Sequence, residues 1–297
     1  MTVLHGAAGP AGTGPLGLDP ERRATPGRRG RPRLGTVGLL VGTCLVTLVP
    51  FVVMLLMALS PPDRRTLPEV LWPEELSLRN FEAVLRGADL VRWGINSLVY
   101  SAVSTVVVLL LATMAGYSFA RKRWPGRDLV FAVMLATLMV PFHVSLIPYF
   151  MTVGALGGID TYWGMILPTV ANVQAVFLMR QYLRSLPEEL FEAARVDGAS
   201  EWLIFLRIVV PLARPAMAAI GVFVFIWHWN DFLWPLLVAQ SEEMRTLTVG
   251  LASLRAEVIT PQELMAGATL TVVPCLLVFA LFQRYLVDSV ATTGLRG

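Results

Sequence analysis

His228 and Asp231 stand three residues apart in an apolar stretch, a spacing that lets both share one helix face. A charge at the centre of a membrane-crossing helix costs about 2.5–3.5 kcal/mol, so such a residue should face a partner or water. Trp227, Trp229 and Asn230 are its neighbours. Aromatic faces suit the apolar C–H faces of sugars, and amides bond hydroxyl groups. Trp227, His228, Asn230 and Asp231 therefore read as a polar patch along a solute path. The alternative is that Trp229, Asp231 and Trp234 mark the outer membrane interface, where amphipathic rings settle. His143 follows Pro141, and a proline frees a carbonyl and permits a kink that lining polar groups can use. It reads either as a path residue or as one end of a helix–helix hydrogen bond. Asn172 and Gln174 pose the same choice, and Asn96 reads as a capping or packing residue. His5, His143 and His228 lie far apart and lack the H-E-x-x-H spacing of a metalloprotease, so no metal site is expected. No G-x-S-x-G and no other catalytic set stands out, so no catalytic residue is assigned. His228 with Asp231 is the one pair an intramembrane enzyme could use, and no nucleophile accompanies it. Lys122 is the only lysine and Arg123 follows it, which rules out the Gly-Lys-Ser/Thr of a phosphate-binding loop. If ATP drives this chain, another polypeptide binds it.

These residues need a membrane-spanning frame, and the composition supplies one. The 297 residues are 55% hydrophobic and only 15% charged, too apolar for an ordinary soluble domain. The net charge of +3 gives no argument for nucleic-acid binding. The two cysteines, Cys44 and Cys275, sit in separate apolar blocks and read as buried small side chains without a disulfide. Residues 1–35 are rich in Gly, Pro and Arg and cannot build a core, so they read as a disordered basic tail. The apolar run after them is too long and too late for a cleavable signal peptide. Six spans are expected, near Val37–Leu59, Ile95–Ala120, Leu129–Tyr149, Tyr162–Leu183, Pro215–Val238 and Leu264–Val287. Each can cross a ~30 Å hydrocarbon core at ~1.5 Å per residue. A short surface helix is expected over Leu76–Leu85. Six spans put both termini on one side. Most of the 24 lysines and arginines fall on that side, which is therefore read as the cytoplasm.

In the second half of the chain the longest polar, patterned stretch between two apolar blocks is Glu192 to Pro215. Ser185 and Glu188 are spaced as a capping box, and Pro187, Glu188 and Glu189 suit a first helical turn. Leu186, Leu190, Ala193 and Ala194 recur on one apolar face, and Ala193 and Ala194 are small enough for close backbone approach. Gly198 is placed to end this 187–198 helix in a left-handed turn. Ser200 and Glu201 can start a second short helix, with Pro211 and Pro215 at its junction with the next span.

This stretch resembles the signature loop of ABC importer permeases, whose pattern is E-A-A, three residues, G, nine residues, I, any residue, L-P. Glu192, Ala193, Ala194, Gly198, Ile208 and Pro211 fall in register; Val210 replaces the Leu, and Asp197 supplies the family's common Asp before the Gly. Asn96-Ser97-Leu98, the run Ala115 to Arg121, Pro141 with Ile147-Pro148, Trp229-Asn230 and Phe282-Gln283-Arg284-Tyr285 look like the carbohydrate-uptake branch. The resemblance covers about residues 36–297, and it is to the shorter, six-span partner of a maltose-type permease pair. Two further places depart from the family: the tail reads Ala-Thr-Thr-Gly-Leu-Arg-Gly over 291–297 where Gly-Ala-Val-Lys-Gly is frequent, and His143 replaces a common Gln. The resemblance implies an all-α polytopic membrane protein of six transmembrane helices with a cytoplasmic coupling helix. It implies coupling to an ATPase dimer through Glu192, Ala193, Ala194, Asp197, Gly198, Ile208 and Pro211. It also implies a second permease subunit in a heterodimer, an extracellular solute-binding protein, surrounding membrane lipid and no nucleic acid. No cofactor is expected on this chain, ATP belonging to the partner subunit. The place implied is the plasma membrane of a bacterium, with both termini cytoplasmic. A sugar or polyol is the implied solute, with glycerol phosphate as an alternative. A secondary transporter would instead need internal repeats and buried acidic ion ligands. Asp231 is the sole obvious intramembrane acid.

Overall fold

Prolines stand at both bends of the membrane-crossing segments, Pro141 and Pro168, while Pro50, Pro148, Pro215 and Pro274 lie inside helices. The computed structural model describes residues 34–61, 75–87, 89–256 and 260–294. Among the described residues its elements are helices, with no strand. The first three helices are α1 (Leu34–Leu59), the short α2 (Arg79–Gly87) and the long α3 (Leu90–Arg121). The expected third span is two helices, α4 (Arg127–Ala136) and α5 (Phe142–Ala155). The fourth is α6 (Tyr162–Ile166) followed by α7 (Val173–Arg184). The signature loop gives α8 (Glu189–Val196) and α9 (Glu201–Ile204). Last come α10 (Val210–Trp229), α11 (Leu233–Val238), α12 (Leu247–Ala256) and α13 (Pro261–Gly294). Two compact units divide the chain, Met1–Val49 and Pro50–Gly297, and the second holds every buried cluster described below. The basic tail expected over residues 1–35 lies almost wholly outside the described residues.

Among the described residues four helices are long and apolar enough to cross a membrane, and up to six spans result if each bent pair counts as one. Two spans therefore differ from the continuous helices expected. The third bends by 99° between Met139 and Phe142. Val140 is extended (φ −87°, ψ 115°), as a residue before proline prefers, and Pro141 heads α5. The proline starts a new helix instead of kinking an old one. The fourth bends by 49° around Leu167–Thr169. The fifth begins earlier than expected. Glu201–Trp229 is one apolar run of helix, in which α9 passes through a wide π turn at Phe205–Val209 into α10. The Val210 N–H reaches back five residues to the Phe205 carbonyl. That extra residue per turn accommodates Pro211, which has no N–H to give. Pro211 and Pro215 are thus inside the helix and not at a junction. The helix stops at Trp229, before the expected end at Val238. The short surface helix starts at Arg79 and not at Leu76.

One buried cluster joins α3, α7, α8 and α10 through residues such as Val108, Met179, Leu183, Phe191, Val209 and Ala213. Gly116 makes the closest of these approaches possible. A Cβ there would lie 2.9 Å from the Met179 Cγ and 3.1 Å from the Arg180 backbone nitrogen. Around the other end of α3, Trp93 and Trp229 pack with Leu254 and Ala266. Gly250 sits so close to Trp93 that a Cβ would come within 2.1 Å of its ring.

Candidate functional site

The eight residues of α8 end in a Schellman turn. Gly198 has φ +78°, its N–H donates to the Arg195 carbonyl at 3.1 Å, and the Ala199 N–H donates to the Ala194 carbonyl at 2.9 Å. The start is built differently from the expected capping box. Ser185 Oγ donates to the Tyr182 carbonyl at 2.7 Å, and the Glu188 side chain makes no cap. Glu188 is taken by Arg121, the last residue of α3, at 2.6 Å. That guanidinium is 6% exposed and also donates to the Leu183 and Leu186 carbonyls. It lies 4.7 Å from the centre of the Phe191 ring. Phe191 is the one fully buried side chain of α8, so the inward face is Phe191 and Ala194; Leu190 and Ala193, expected on that face, are exposed. Phe191 carries no separate signal in the sequence, because the Leu and Ala periodicity beside it fits a helix face equally well.

On the far side of α8, Lys122 pairs with Glu201. The same carboxylate accepts from the Tyr117 hydroxyl at 2.9 Å and lies 3.7 Å from Arg195. Consecutive residues at the foot of α3 therefore hold the chain just before α8 and just after it. The outward face carries Glu192, Ala193, Asp197 and Val196, the last 88% exposed, and Trp202 beside it is 64% exposed. Of the signature residues, Ala194 and Ile208 pack against the core and Pro211 is half-buried, while Glu192, Ala193, Asp197 and Gly198 are exposed. The result is a small acidic and apolar knob on a braced base.

A second set of polar groups lies where α10 stops. Asp231 is past the helix end, not on its face, and accepts a 2.8 Å hydrogen bond from the Tyr100 hydroxyl of α3. The Tyr100 ring meets His228 edge-on at 5.1 Å. His228 is 1% exposed; its Nδ1 donates to the Val224 carbonyl at 2.8 Å, and Nε2 lies 3.1 Å from the Thr169 Oγ1. Thr248 Oγ1 donates to the Asp231 carbonyl at 2.9 Å. Both nitrogens of His228 are thus engaged inside the protein. Trp227 and Asn230 are exposed, with the Asn230 Nδ2 donating to the Ile226 carbonyl at 2.8 Å. Asn172 caps α7, its Oδ1 accepting from the Ala175 N–H at 2.8 Å, while Gln174 next to it is exposed. His143 is exposed on α5, its ring edge-on to that of Phe142 at 6.3 Å. Asn96 packs, as expected: it is buried, donates to the Glu243 and Arg245 carbonyls at 2.9 and 2.8 Å, and accepts from Tyr162.

Residues 108–292, which include α8 and its brace, match the family of binding-protein-dependent transport system inner membrane components. The chain belongs to that family. Among its relatives is the arabinooligosaccharides transport system permease protein AraQ of Bacillus subtilis, 36% identical over 85% of this chain and 92% of that protein. The sn-glycerol-3-phosphate transport system permease protein UgpE of Yersinia enterocolitica is 32% identical over 88% of this chain and 96% of its own. A bacterial ABC transporter chain involved in import of the acidic polysaccharide alginate has the same fold, with a TM-score of 0.74 over 84% of this chain and 95% of that one at 24% identity.

An inner membrane component of this family is a transport subunit of an ABC importer and not an enzyme. It works with a solute-binding protein and an ATPase. Membership accounts for the spans, for the signature loop and for the missing phosphate-binding loop. In the sequence Arg121, Lys122, Glu188 and Glu201 take other places, and nothing local pairs Arg121 with Glu188 or Lys122 with Glu201. One signal was there: the single lysine sits directly beside an arginine at a helix end.

Proposed function

We propose that this permease forms half of a solute path with a second, unlike permease subunit, and that α8 is the coupling helix that docks on the ATPase. Residues 36–297 make the permease domain and residues 1–35 its basic tail. ATP binds on the ATPase alone. Its closure moves α8, the spans rock from inward-open to outward-open, and an extracellular binding protein then delivers solute into the path. The termini and α8 lie in the cytoplasm of a bacterium, on the side richer in arginine. The observation that carries the reading is the exposed face of α8 with Glu192, Ala193 and Val196 outward, on a base braced by two ion pairs. A solvent-exposed apolar and acidic face on so short a helix has no use within the chain and suits a cleft on another protein.

The solute is a neutral sugar oligomer. The candidate path groups with exposed side chains are His143, Gln174, Trp227 and Asn230. They offer rings and hydrogen-bonding groups and include no lysine or arginine. Asn172, His228 and Asp231 hold the helices that frame them. The glycerol-phosphate relative favours a second reading, in which the solute is a phosphate ester. A phosphate dianion calls for cationic partners, arginine above all. The test is a cysteine at Glu192 in the complex purified with its ATPase and binding protein. It should crosslink to the ATPase, and arabino-oligosaccharides should raise ATP turnover more than sn-glycerol 3-phosphate. No crosslink overturns the docking, and stimulation by the phosphate ester alone overturns the sugar.

A further inference from the structure

The helix α3 is gripped at both ends by different parts of the chain. At its foot, Arg121 holds Glu188 and the Leu183 and Leu186 carbonyls, and Lys122 holds Glu201. These contacts fall on either side of α8, and Phe191 wedges α8 against Arg121 and Tyr117 between them. At its head, three successive turns hold the segment that follows the stop in α10. Trp93 Nε1 donates to the Glu242 carbonyl at 3.0 Å, Asn96 to Glu243 and Arg245, and Tyr100 to Asp231. Ser97 Oγ accepts from the Leu247 N–H at 2.8 Å.

Between the two grips α3 is a single 32-residue helix without a proline. Tyr100 and Arg121 are roughly 32 Å apart along it at ~1.5 Å per residue. Its neighbours are not continuous in this way. The third and fourth spans bend by 99° and 49°, and the fifth carries a π turn above α9 and stops at Trp229. A bend or wide turn absorbs displacement, whereas an unbroken helix passes it on.

We propose that α3 is the rod that carries movement of α8 to the Asp231–Leu247 segment, with Arg121 and Lys122 as positioning residues at its foot and Tyr100 at its head. This rests on the reading of α8 as the ATPase contact and goes beyond it, because it names the path that force takes through this chain. Arg121 is the last helical residue of α3 and Lys122, its C-cap, has extended backbone (φ −99°, ψ 148°), so the two side chains leave the foot towards different partners. Arg121 and Lys122 can therefore hold both flanks of α8, so α8 cannot tilt without taking the foot of α3 with it. At the other end Asp231 directly follows Asn230, and Trp227 meets the ring of His228, which in turn meets Tyr100, so displacement of α3 repositions the exposed groups assigned to the solute path.

The test uses the full complex in proteoliposomes, with an arabino-oligosaccharide as solute, or sn-glycerol 3-phosphate if the binding protein selects it. The readout is ATP hydrolysed per solute imported. Lys122→Met and Tyr100→Phe should each raise that ratio severalfold while the ATPase still co-purifies at its normal stoichiometry. Because the two sites act in series, the double variant should be no worse than the worse single. As the conservative control, Lys122→Arg, which keeps a cation for Glu201, should retain the normal ratio. An unchanged ratio in Lys122→Met or Tyr100→Phe, a double variant whose losses multiply, or loss of the ATPase on purification would each overturn the proposal. The cysteine at Glu192 separates the two levels. If it crosslinks while the ratio stays normal, only the rod fails; if it does not crosslink, the docking fails with it.

Discussion

Gly198 offers the sharpest measure of how rigid α8 must be. It adopts φ +78°, and a Cβ built on it meets nothing within 4 Å. Substitution there costs backbone strain and no packing. An alanine in the left-handed region costs roughly 1–2 kcal/mol, and asparagine costs less because its side chain tolerates that region. Proline fixes φ near −65° and has no N–H, so Gly198→Pro also loses the 3.1 Å bond to the Arg195 carbonyl and costs about 3 kcal/mol or more. One or two kcal/mol shifts the ratio of capped to frayed helix end by about 5- to 30-fold. The expected order of coupled transport is therefore glycine, then asparagine, then alanine, then proline. The assay is solute uptake and ATP hydrolysis on the same proteoliposomes, with membrane insertion checked by the yield of the spans. Helix propensity gives the opposite order for the middle pair, since alanine extends a helix better than asparagine. If alanine outperforms asparagine, α8 functions by running on past Gly198, and the stop argued from its positive φ is refuted. If proline transports like glycine, α8 does not transmit force at all.

Further outcomes follow from the packing. Gly116→Ala should destabilise the contact of α3 with α7 by about 1–3 kcal/mol, because the new methyl lies 3.1 Å from backbone that cannot swing away; a lower melting temperature in detergent checks this. Asn172→Ala should cost about 0.5–2 kcal/mol of stability through the lost cap on α7, with Asn172→Ser largely restoring it and the apparent affinity for solute unchanged. A change of affinity with unchanged stability would return Asn172 to the solute path. Cysteines at His143 and Gln174, both exposed, should react with a water-soluble thiol reagent and be protected by solute, whereas one at the buried His228 should not react.

How much of this was legible beforehand differs from place to place for physical reasons. Gly198 was readable because only one residue type is at ease at positive φ, so its position after a polar helix names the turn. Asn96 was readable because a buried amide must find partners. The spans were readable because their length and apolarity are set by the bilayer. The bend at Pro141 was half readable: proline announces a disturbance, but whether it kinks or ends a helix depends on what the next turn packs against. Glu188 misled because an acidic residue three places after a serine fits a capping box as well as it fits an ion pair. Its partner, Arg121, is 67 positions away, and no local pattern carries that distance. His228 and Asp231 misled in a related way. Their spacing suits one helix face, but the helix ends between them, and Tyr100 from another span supplies the partner.

The broken third span also says something about what surrounds this chain. A bilayer core has no water to satisfy loose backbone groups, so irregular backbone survives there only against protein or a water-filled cavity. At this break Pro141 offers no side chain to the first N–H groups of α5. The residues beside it are uncovered within the chain, Met139 being 85% exposed and Val140 exposed as well. Lipid tails cannot lie here without stranding those groups, at a cost of several kcal/mol each. On the function proposed above, either a second permease covers the break or the solute path wets it. A cysteine at Val140 should therefore crosslink to the second permease or react with a membrane-impermeant maleimide in the assembled complex. Labelling from the lipid phase alone would show that the break tolerates hydrocarbon, and the argument for a covered or watered bend would fail with it.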